Sequence, residues 1–425
     1  MSAEARSAAL LAVGDELVSG EQADRNSAFL AEGLLEHGWR VSEVVLLGDD
    51  EVRLARAMGE LCARHGLVLT TGGLGPTLDD VTRHAAARAA GRALVLDGGA
   101  LRAIGTWYAE RGRPMPASNE RQALFPAGAV SLANRAGTAP GFRLRVGEAW
   151  LVALPGPPRE MRTVFERELA PWLVGLPAAG PVVRRRRLHL FGLTESDFAD
   201  QVGAWMERDV EPRMGVLARA GVLTVKLEAS APDEVAALEL LEHRAALLRA
   251  RFKDLIFSED RRDPAWAVGR ELIARGLSLS VAESCTGGLV ARKLCAVPGI
   301  SAVFLEGFVP YSDRAKIERL GVCARLIETH GAVSGPVAEA MARGAAERSG
   351  ARLAVATTGI AGPQGGSARK PVGLVWFGLC SQGRSESTER RFPPRGRGLV
   401  MEWAANTALD LVRRAMGSGG TPPGR

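Results

Sequence analysis

The sequence has few of the residues that mark the commonest binding sites. Of its 425 residues only 5% are aromatic, and two are tyrosines. A chain so poor in aromatic side chains, with no basic stripe among them, is not typical of proteins that stack single-stranded nucleic acid. The five cysteines are scattered and form no C-x-x-C pair, so neither a zinc knuckle nor a disulfide framework is indicated. No secretory segment or long apolar run occurs, and we therefore expect a cytoplasmic protein without a membrane partner.

What is present is typical of a globular protein of two or three domains. Hydrophobic residues make up 46% of the chain and charged residues 24%, which allows a sizeable core. The net charge is +6, carried mostly by dispersed arginines with one run at Arg184 to Arg187. An excess of this size suits acidic small molecules such as phosphates at least as well as nucleic acid. We expect small-molecule partners and consider a nucleic-acid partner unfavoured.

The first half alternates short apolar runs with helical patterns. The predicted strands cover residues 9–13, 41–47 and 67–70, and the predicted helices cover residues 26–37 and 51–64. This alternation predicts a parallel sheet with helices on both faces. Ligands of such sheets bind at the carboxyl ends of the strands, where the segment Thr70 to Thr82 begins.

The segment Thr70 to Thr82 combines glycine, threonine and aspartate in one turn. Its glycines allow the backbone to approach a phosphate or pyrophosphate, and Thr71 and Thr77 add hydroxyl donors. The adjacent carboxylates of Asp79 and Asp80 would repel a bare phosphate, so they favour a divalent cation between protein and ligand. The alternative is that both only complement the dipole of the following helix.

Three motifs of the first half occur in a recognisable order: G-D-E-L-V-S-G, T-G-G-L-G-P-T-L-D-D-V-T and L-P-G-P-P-R-E-M. Over about residues 6–178 they resemble the molybdopterin-binding (MoaB/MogA-like) domain at the N-terminus of CinA-type proteins. The resemblance implies hydrolysis of the phosphoanhydride of ADP-ribose, with a divalent metal ion of unknown identity and potassium as a further candidate ion. The implied phosphate-binding residues are Gly72, Gly73, Gly75, Thr77, Asp15 and Glu16, and the implied metal ligands are Asp79 and Asp80. The turn at Pro155 either ends a strand or lines the same cleft.

Residues 179–260 form a predicted small α+β module, which resembles the KH-like middle domain of the same family. The arginine run in this module raises the possibility of nucleic-acid binding. KH modules clamp a nucleic-acid backbone through a G-x-x-G loop, and none occurs between Arg184 and Asp260. We therefore favour a spacer or dimerisation role for the module.

The last third carries hydroxyl, amine and glycine residues where hydrolases often carry histidine. Its one histidine is His330, and it has no G-x-S-x-G elbow. The turn Ser284 to Gly288 lies between a short predicted strand and a predicted helix, which favours an anion, although an ordinary capped helix start has the same pattern. A serine with a lysine base is an alternative to a Ser-His-Asp triad. Tyr311 and Lys316 come from one segment; the alternatives are a core tyrosine and a solvated lysine.

Six motifs of the last third occur in order: A-E-S-C-T-G-G, P-G-x-S, Y-S-x-x-A-K, G-A-V-S, T-G-I-A-G-P and K-P-V-G. Over about residues 264–415 they resemble the C-terminal CinA domain, the nicotinamide-nucleotide amidase family. The resemblance implies deamidation of nicotinamide mononucleotide to the acid and ammonia, without a cofactor. The implied substrate-binding residues are Cys285, Thr286, Gly287, Gly288, Thr358, Gly359, Gly362 and Arg397.

The catalytic roles follow from this resemblance as hypotheses. Because the turn Ser284 to Gly288 is expected to hold the phosphate of the substrate, Ser301 is the first choice of nucleophile and Ser284 the second. Lys316 is the predicted general base, and Tyr311 shares the proton path.

One segment departs from the family pattern. The family commonly ends in F-x-G-D-R-x-x-V-R, whereas here the segment from Phe392 lacks the aspartate and is shifted by one residue. Met401 stands where a second arginine is expected. Arg397 is the best substitute for the first arginine, followed by Arg395. Pro310, directly before Tyr311, is a smaller departure that stiffens the backbone there.

These patterns together predict an α/β protein with four segments. They are an N-terminal MoaB/MogA-like three-layer domain (1–178), a small α+β KH-like domain (179–260), a C-terminal α/β amidase domain (261–416) and a disordered tail (417–425). A homodimer is expected from the resemblance alone. Two alternatives remain: only one of the two sites is active, or the chain is a non-enzymatic nucleotide- or pterin-binding sensor or scaffold linked to competence.

Overall fold

The computed structural model describes residues 7–176, 181–207 and 209–417. The described chain divides into two compact units. One contains the residues up to Arg184 together with Ala229–Glu239, and the other contains Arg185–Glu228 and the residues from Leu240 onward. The predicted domain boundary between residues 178 and 179 lies outside the described residues, as does the predicted tail except Gly417, which is helical. In the residues that are described, we find no helix whose length and apolar character would let it traverse a lipid bilayer.

The N-terminal module is built on a six-stranded sheet. In chain order its elements are β1 (Ser7–Val13), α1 (Asp15–Val18), α2 (Asn26–Glu36), β2 (Arg40–Leu47), α3 (Glu51–Arg64), β3 (Leu67–Thr71), α4 (Thr82–Ala90), β4 (Leu94–Leu96), α5 (Gly98–Ala109), β5 (Leu124–Pro126), β6 (Val130–Leu132), β7 (Gly141–Val146), β8 (Ala149–Leu154), α6 (Pro158–Val164) and α7 (Ala170–Val174). A 3₁₀ segment, Ala117–Ala123, precedes β5, and a π-helical turn, Phe165–Leu169, joins α6 to α7. The separate pair β4–β5 forms a small second sheet.

The large sheet is parallel where the glycine turn lies and antiparallel at one edge. Its order is β2-β1-β3-β8-β7-β6, with parallel pairing from β2 to β8 and antiparallel pairing among β8, β7 and β6. The two-residue connection between β7 and β8 begins with Gly147 at a φ of +59°, a conformation that suits a tight hairpin. The predicted parallel sheet is therefore confirmed for β2, β1, β3 and β8, and an antiparallel edge extends it.

Alternation along β1 produces the predicted three layers. Ala9, Leu11 and Val13 pack into the core that contains α3, whereas Ala8 and Leu10 pack into the core that contains α2 and α6. Helix α3 begins at Asp50, whose carboxylate accepts hydrogen bonds from the amides of Val52 and Arg53. Its apolar residues recur every three or four positions, so one face is buried against the sheet.

The middle module contains a four-stranded sheet of order β10-β11-β9-β12. Its elements are β9 (Val182–Phe191), α8 (Glu195–Val202), β10 (Arg213–Arg219), β11 (Val222–Ala231), α9 (Glu234–Phe252) and β12 (Ile256–Ser258). Arginines of the run predicted as basic form ion pairs with glutamates: Arg184 with Glu234, Arg185 with Glu228 and Arg186 with Glu242. These ion pairs reduce the positive charge that would attract nucleic acid. The expectation of small-molecule partners stays a prediction.

The C-terminal module has a five-stranded sheet of order β14-β13-β15-β16-β17 between two helical layers. Its elements are α10 (Pro264–Arg275), β13 (Leu279–Glu283), α11 (Leu289–Cys295), β14 (Phe304–Phe308), α12 (Asp313–Leu320), α13 (Ala324–His330), α14 (Gly335–Ser349), β15 (Leu353–Gly359), β16 (Leu374–Ser381), β17 (Arg384–Arg391) and α15 (Arg397–Gly417). Strands β14, β13 and β15 are parallel, and β16 and β17 extend the sheet in antiparallel pairing.

Helix α15 begins at Arg397, within the segment from Phe392 that departs from the family pattern. Its buried face packs in the core with α10 and α11. Further along, it contacts the middle module: the amide of Asn406 donates to the carbonyl of Ala220 at 2.9 Å, and Arg413 donates to the carbonyl of Asp254 at 2.6 Å.

Candidate active site

A cavity of about 200 Å³ opens at the carboxyl ends of β13 and β15. It contains most of the residue types that the sequence singled out: hydroxyl, amine, guanidinium and glycine. Its lining residues are Ser284, Cys285, Tyr311, Asp313, Lys316, Ala332, Val333, Thr358, Gly359, Ala361 and Arg397. The sequence motifs from four separate parts of the last third therefore meet at one place.

Ser284 and Lys316 form a polar pair in this cavity. The Lys316 Nζ lies 3.3 Å from the Ser284 Oγ and also donates to the carbonyls of Pro310 and Tyr311, at 3.2 and 3.1 Å. Lys316 is only 1% exposed. Burial lowers the pKa of its amine, and the neighbouring carboxylate of Asp313 acts in the opposite direction. A buried lysine with a lowered pKa, held against a serine hydroxyl, can act as a base.

The chain positions Lys316 through the start of α12. The Ser312 hydroxyl accepts a hydrogen bond from the amide of Ala315 and so caps this helix. Lys316 and Leu320, one helical turn apart, are the buried residues of α12. The lysine side chain is thus on the inward face of the helix, where it reaches the serine.

A buried carboxylate occupies the helix start that we expected to hold phosphate. Glu283 is 1% exposed, and its oxygens accept hydrogen bonds from the amides of Gly288, Val290 and Ala291 at 2.8–3.0 Å. These are donors of the α11 N-terminus, which attracts negative charge. The prediction that Gly287 and Gly288 grip a substrate phosphate through these amides is therefore corrected: the protein's own glutamate satisfies them.

The remaining amides of the turn favour a different role for it. The Gly287 amide donates to the Ser284 carbonyl and the Leu289 amide to the Thr286 carbonyl. Among the described residues, the amides of Cys285 and Thr286 donate to no backbone carbonyl. They directly follow Ser284, as donors that stabilise the oxyanion of an attacked carbonyl often do.

The neighbours of Ser284 are less reactive or turned away. Burial raises the pKa of the Cys285 thiol to about 12, so this side chain lines the cavity as a thiol and not as a thiolate nucleophile. Thr286 is fully buried, and its hydroxyl bonds that of Thr357 at 2.7 Å. Thr286 thus ties the turn to β15 through its side chain, rather than gripping a ligand as predicted.

Ser301 does not lie in the cavity. It is exposed in the 3₁₀ turn Ile300–Ala302, which precedes β14. Strands β13 and β14 are parallel, and Leu279 at the start of β13 is aligned with Phe304. Ser301 is therefore at the amino end of the sheet, whereas Ser284 follows the carboxyl end of β13, roughly 16 Å away at about 3.3 Å per residue. This separation corrects the preference for Ser301 as nucleophile beside Lys316.

Arg397 reaches the cavity despite the altered sequence around it. Its guanidinium donates to the Tyr311 hydroxyl at 2.8 Å and to the Gly362 carbonyl at 2.9 Å. Gly362 thus orients the arginine and does not itself line the cavity. Met401 instead packs against the apolar core. The cavity wall is completed at β15, where the Thr358 hydroxyl donates to the Ala332 carbonyl at 2.8 Å.

The N-terminal glycine turn is also braced from within. The Asp80 carboxylate accepts hydrogen bonds from the amides of Gly75 and Thr77, at 2.6 and 2.8 Å, and from the Thr77 hydroxyl. Behind the turn lies Arg83, 2% exposed, which donates to the carbonyls of Leu74 and Gly75. Burial lowers the pKa of Arg83 to about 10. Asp80 and Thr77 therefore hold the turn in shape.

Other carboxylates lie near this turn. Burial raises the pKa of Asp49, and the negative charges of Asp15, Glu16 and Asp79 raise it further. Within the described ranges, no group of three or more His, Cys, Asp or Glu side chains could hold a metal ion. Asp80, with its oxygens engaged by the turn, does not fit the predicted role of ligand. The exposed Asp79 fits an ion that is bound mainly by substrate phosphates, which needs only one or two carboxylates.

Comparisons with known proteins match the N-terminal, middle and C-terminal modules separately. Three family models match: "Probable molybdopterin binding domain" over residues 9–174, "Damage-inducible protein CinA KH domain" over 185–258 and "CinA C-terminal domain" over 262–416. A CinA-like protein of Geobacter sulfurreducens is 42% identical over 413 residues, covering 96% of this chain and 98% of its own. The chain belongs to the CinA family. A CinA-like protein of Citrifermentans bemidjiense is 41% identical over 418 residues, covering 98% and 99% of the two chains.

Solved structures of the CinA superfamily match over a shorter range. The competence/damage inducible protein CihA from Agrobacterium tumefaciens is 43% identical and covers 36% of this chain and 96% of its own, with a TM-score of 0.35. A CinA protein from Thermoplasma acidophilum is 31% identical and covers 39% and 96%, with a TM-score of 0.37. The three family models confirm the predicted fold of three CinA-type modules.

Sequence reasoning missed three charged residues of the CinA sites. Glu283, Asp313 and Arg83 are each adjacent to a motif that was recognised. Glu283 ends a strand and precedes a helix start by a few residues, which is a signal for capping from outside the helix. Asp313 follows the helix cap Ser312 in Y-S-D-R-A-K, where the family pattern leaves the position open.

Proposed function

We propose that the C-terminal module hydrolyses the carboxamide of nicotinamide mononucleotide, giving nicotinate mononucleotide and ammonia. The observation that carries this proposal is the Ser284–Lys316 pair, which lies in one cavity with Arg397. The pair supplies a nucleophile and a base for amide cleavage. The guanidinium of Arg397 supplies a cation suited to the phosphate of the substrate.

The chemistry begins with proton transfer from the Ser284 hydroxyl to the neutral amine of Lys316. The Ser284 oxygen attacks the carboxamide carbon, and the amides of Cys285 and Thr286 stabilise the negative charge on the carbonyl oxygen. Protonated Lys316 then donates its proton to the leaving nitrogen, the C–N bond breaks and ammonia leaves, so that an acyl ester on Ser284 remains.

The second half repeats these roles with water. Neutral Lys316 accepts a proton from a water molecule, and the resulting hydroxide attacks the ester carbon. The bond to the Ser284 oxygen breaks, that oxygen takes the proton back from Lys316, and nicotinate mononucleotide is released. Tyr311, whose hydroxyl accepts from Arg397, orients the guanidinium at the cavity opening.

Ammonia release from nicotinamide mononucleotide tests this proposal. We expect activity in the full chain and in Ser301→Ala, because Ser301 lies at the other end of the sheet. We expect Ser284→Ala to lose at least about 10³-fold in kcat, as for other enzymes that lose their nucleophile. Full activity of Ser284→Ala, or its loss in Ser301→Ala alone, would contradict the assignment.

A second activity is proposed for the N-terminal module: hydrolysis of the pyrophosphate bond of ADP-ribose. It is supported by Gly72 and Gly73, whose φ values of +107° and +64° let the backbone approach a ligand closely, and by the exposed carboxylate of Asp79. A divalent ion, when bound with the substrate, would neutralise phosphate charge. Asp79 would be its protein ligand, beside the phosphates of the substrate.

Incubation of the full chain with ADP-ribose tests this second activity. AMP release should require a divalent cation, with potassium as a separate arm, and should fall in Asp79→Asn. Binding of ADP-ribose without turnover, under every ion condition, would instead support a nucleotide sensor in this module.

A further inference from the structure

Asp313 contributes a negative charge to a cavity that otherwise holds cations. Asp313, Lys316 and Arg397 are the charged residue types among its lining residues. The Asp313 side chain is 59% exposed, and its Oδ1 lies 3.9 Å from the Lys316 Nζ. Asp313 is the first residue of α12, directly after the cap Ser312, so the helix start holds its backbone in place.

The catalytic role of Lys316 leaves this carboxylate without a charged partner. A lysine that accepts a proton must be neutral before the reaction, and burial favours its neutral form. The guanidinium of Arg397 is engaged with the Tyr311 hydroxyl and the Gly362 carbonyl. Before substrate binds, Asp313 and Arg397 are therefore the charged groups of the lining, and Asp313 is the anion close to the Ser284–Lys316 pair.

We propose that Asp313 selects substrates whose amide-bearing ring carries a fixed positive charge, that is, N-substituted pyridinium carboxamides. This inference rests on the proposed amide hydrolysis and names Asp313 as the residue that determines the preference for a cationic ring. The scissile carbonyl must lie at the Ser284 Oγ. The Lys316 Nζ lies 3.3 Å from this oxygen and 3.9 Å from the Asp313 Oδ1, so the carboxylate is close to the reacting carbonyl. In a pyridine-3-carboxamide the ring nitrogen is a few bonds from the carbonyl, so its charge falls within reach of the carboxylate.

The expected selectivity is moderate because Asp313 is partly exposed. Opposite charges about 5 to 7 Å apart at a solvated site change an affinity roughly twofold to fivefold. Two simpler roles make a different prediction. If Asp313 only complemented the dipole of α12, or only adjusted the protonation of Lys316, its loss would affect charged and neutral substrates equally.

The experiment compares two substrates that differ in ring charge. Nicotinamide mononucleotide has a cationic ring, and the 5′-phosphate of a benzamide C-riboside has the same shape with a neutral ring. The ratio of their kcat/KM values is measured in the full-length protein, in Asp313→Asn and in Glu318→Gln. Glu318 is a matched control, since it is an acid on the same helix that pairs with Arg314 and does not line the cavity.

We expect Asp313→Asn to lower the charged-to-neutral ratio about threefold, and Glu318→Gln to leave it unchanged. Asp313→Glu should restore part of the ratio. The affinities of both ligands are measured in parallel in the Ser284→Ala background by titration calorimetry. This arm reports selectivity even if no amide is cleaved, so failure of the proposed function is distinguished from failure of the inference. An unchanged binding ratio in Asp313→Asn, or equal losses for both ligands, would overturn it.

Discussion

The two glycine turns of this protein each follow a parallel strand and each lie beside a buried cation, yet only one of them brings that cation to a serine hydroxyl. Each turn follows the carboxyl end of a parallel strand, β3 or β13. Each has a buried cation beside it that donates to two backbone carbonyls: Arg83 in the N-terminal module and Lys316 in the C-terminal module. Lys316 has a third partner, the hydroxyl of Ser284. A guanidinium stays protonated, whereas a buried amine can release its proton.

The anionic side chains of the two turns are also alike. Asp80 accepts from amides of its own turn, and Glu283 accepts from amides at the start of α11. In both modules an internal carboxylate accepts hydrogen bonds from amides of a turn that was predicted to bind phosphate. The two turns therefore differ mainly in the cation, which is a guanidinium in Arg83 and an amine in Lys316. We propose that the guanidinium has a structural role and the amine a chemical one.

Exchanging the cation should have the largest effect. Lys316→Arg keeps nitrogen donors at this position but removes the base, because a guanidinium stays protonated, so we expect amide hydrolysis to fall at least about 10³-fold. The control is Lys293→Arg, because Lys293 forms an ion pair with Glu402 and does not line the cavity. Ammonia release measures both variants. Activity of Lys316→Arg within tenfold of the unmodified protein would mean that the comparison with Arg83 is mistaken.

Weakening the anion in the C-terminal turn should have a smaller effect. Glu283→Gln keeps the size of the side chain but replaces an acceptor with a donor, which faces amides. We expect kcat to fall about 10- to 100-fold with little change in KM, because the Ser284 turn shifts. The free energy of unfolding should fall by about 1–3 kcal/mol. The exposed Glu306 of β14 provides the control Glu306→Gln. An equal rise in KM would instead indicate that Glu283 acts on substrate binding.

The reciprocal exchange in the N-terminal turn should affect stability alone. In Arg83→Lys the shorter amine can donate to only one of the two carbonyls that the guanidinium reaches. We expect the free energy of unfolding of this module to fall by about 1–3 kcal/mol. Amide hydrolysis should be unchanged. Chemical denaturation followed by tryptophan fluorescence measures the loss. If Arg83→Lys were as stable as the original, the buried arginine would not be bracing the turn.

The smallest expected effect is the pH dependence of stability and activity that comes from Lys316. Burial lowers the pKa of Lys316 below its ordinary value of 10.5, so the unfolded chain binds this proton at pH values where the folded chain has released it. Stability therefore rises with pH between the lowered pKa and 10.5. Amide hydrolysis should fall as the pH drops through the lowered pKa, since the base is then protonated. Denaturation of Lys316→Met across this window should show a weaker slope, and an identical slope would contradict the assignment.

Local motifs predicted much of this site. Ser284, Tyr311, Lys316, Thr358 and Arg397 were all named from segments whose residue types suit amide cleavage, and the structure brings them to one cavity. The preference for Ser301 was wrong for a topological reason. Ser301 precedes β14 and Ser284 follows β13. Because these strands are parallel, the two serines lie at opposite ends of the strands.

Other features depended on side-chain geometry that a linear pattern does not contain. Nothing in the sequence alone shows that Glu283 turns toward the amides of the next helix rather than toward solvent. Strand β17 was missed because its residues, from Arg384 to Arg391, are almost all polar, so no apolar alternation signals a strand. It forms because the preceding turn folds it back onto β16.

Helix α15 carries a constraint on how this chain can change during evolution. Arg397 at its first turn serves the cavity, and Asn406 and Arg413 further along meet the middle module. One inserted residue between them would rotate the two ends by roughly 100° relative to each other. The shift of one residue relative to the family pattern falls instead in the loop from Phe392 to Gly396, ahead of the helix. We therefore expect a change in the length of that loop to be tolerated better than an insertion within the helix.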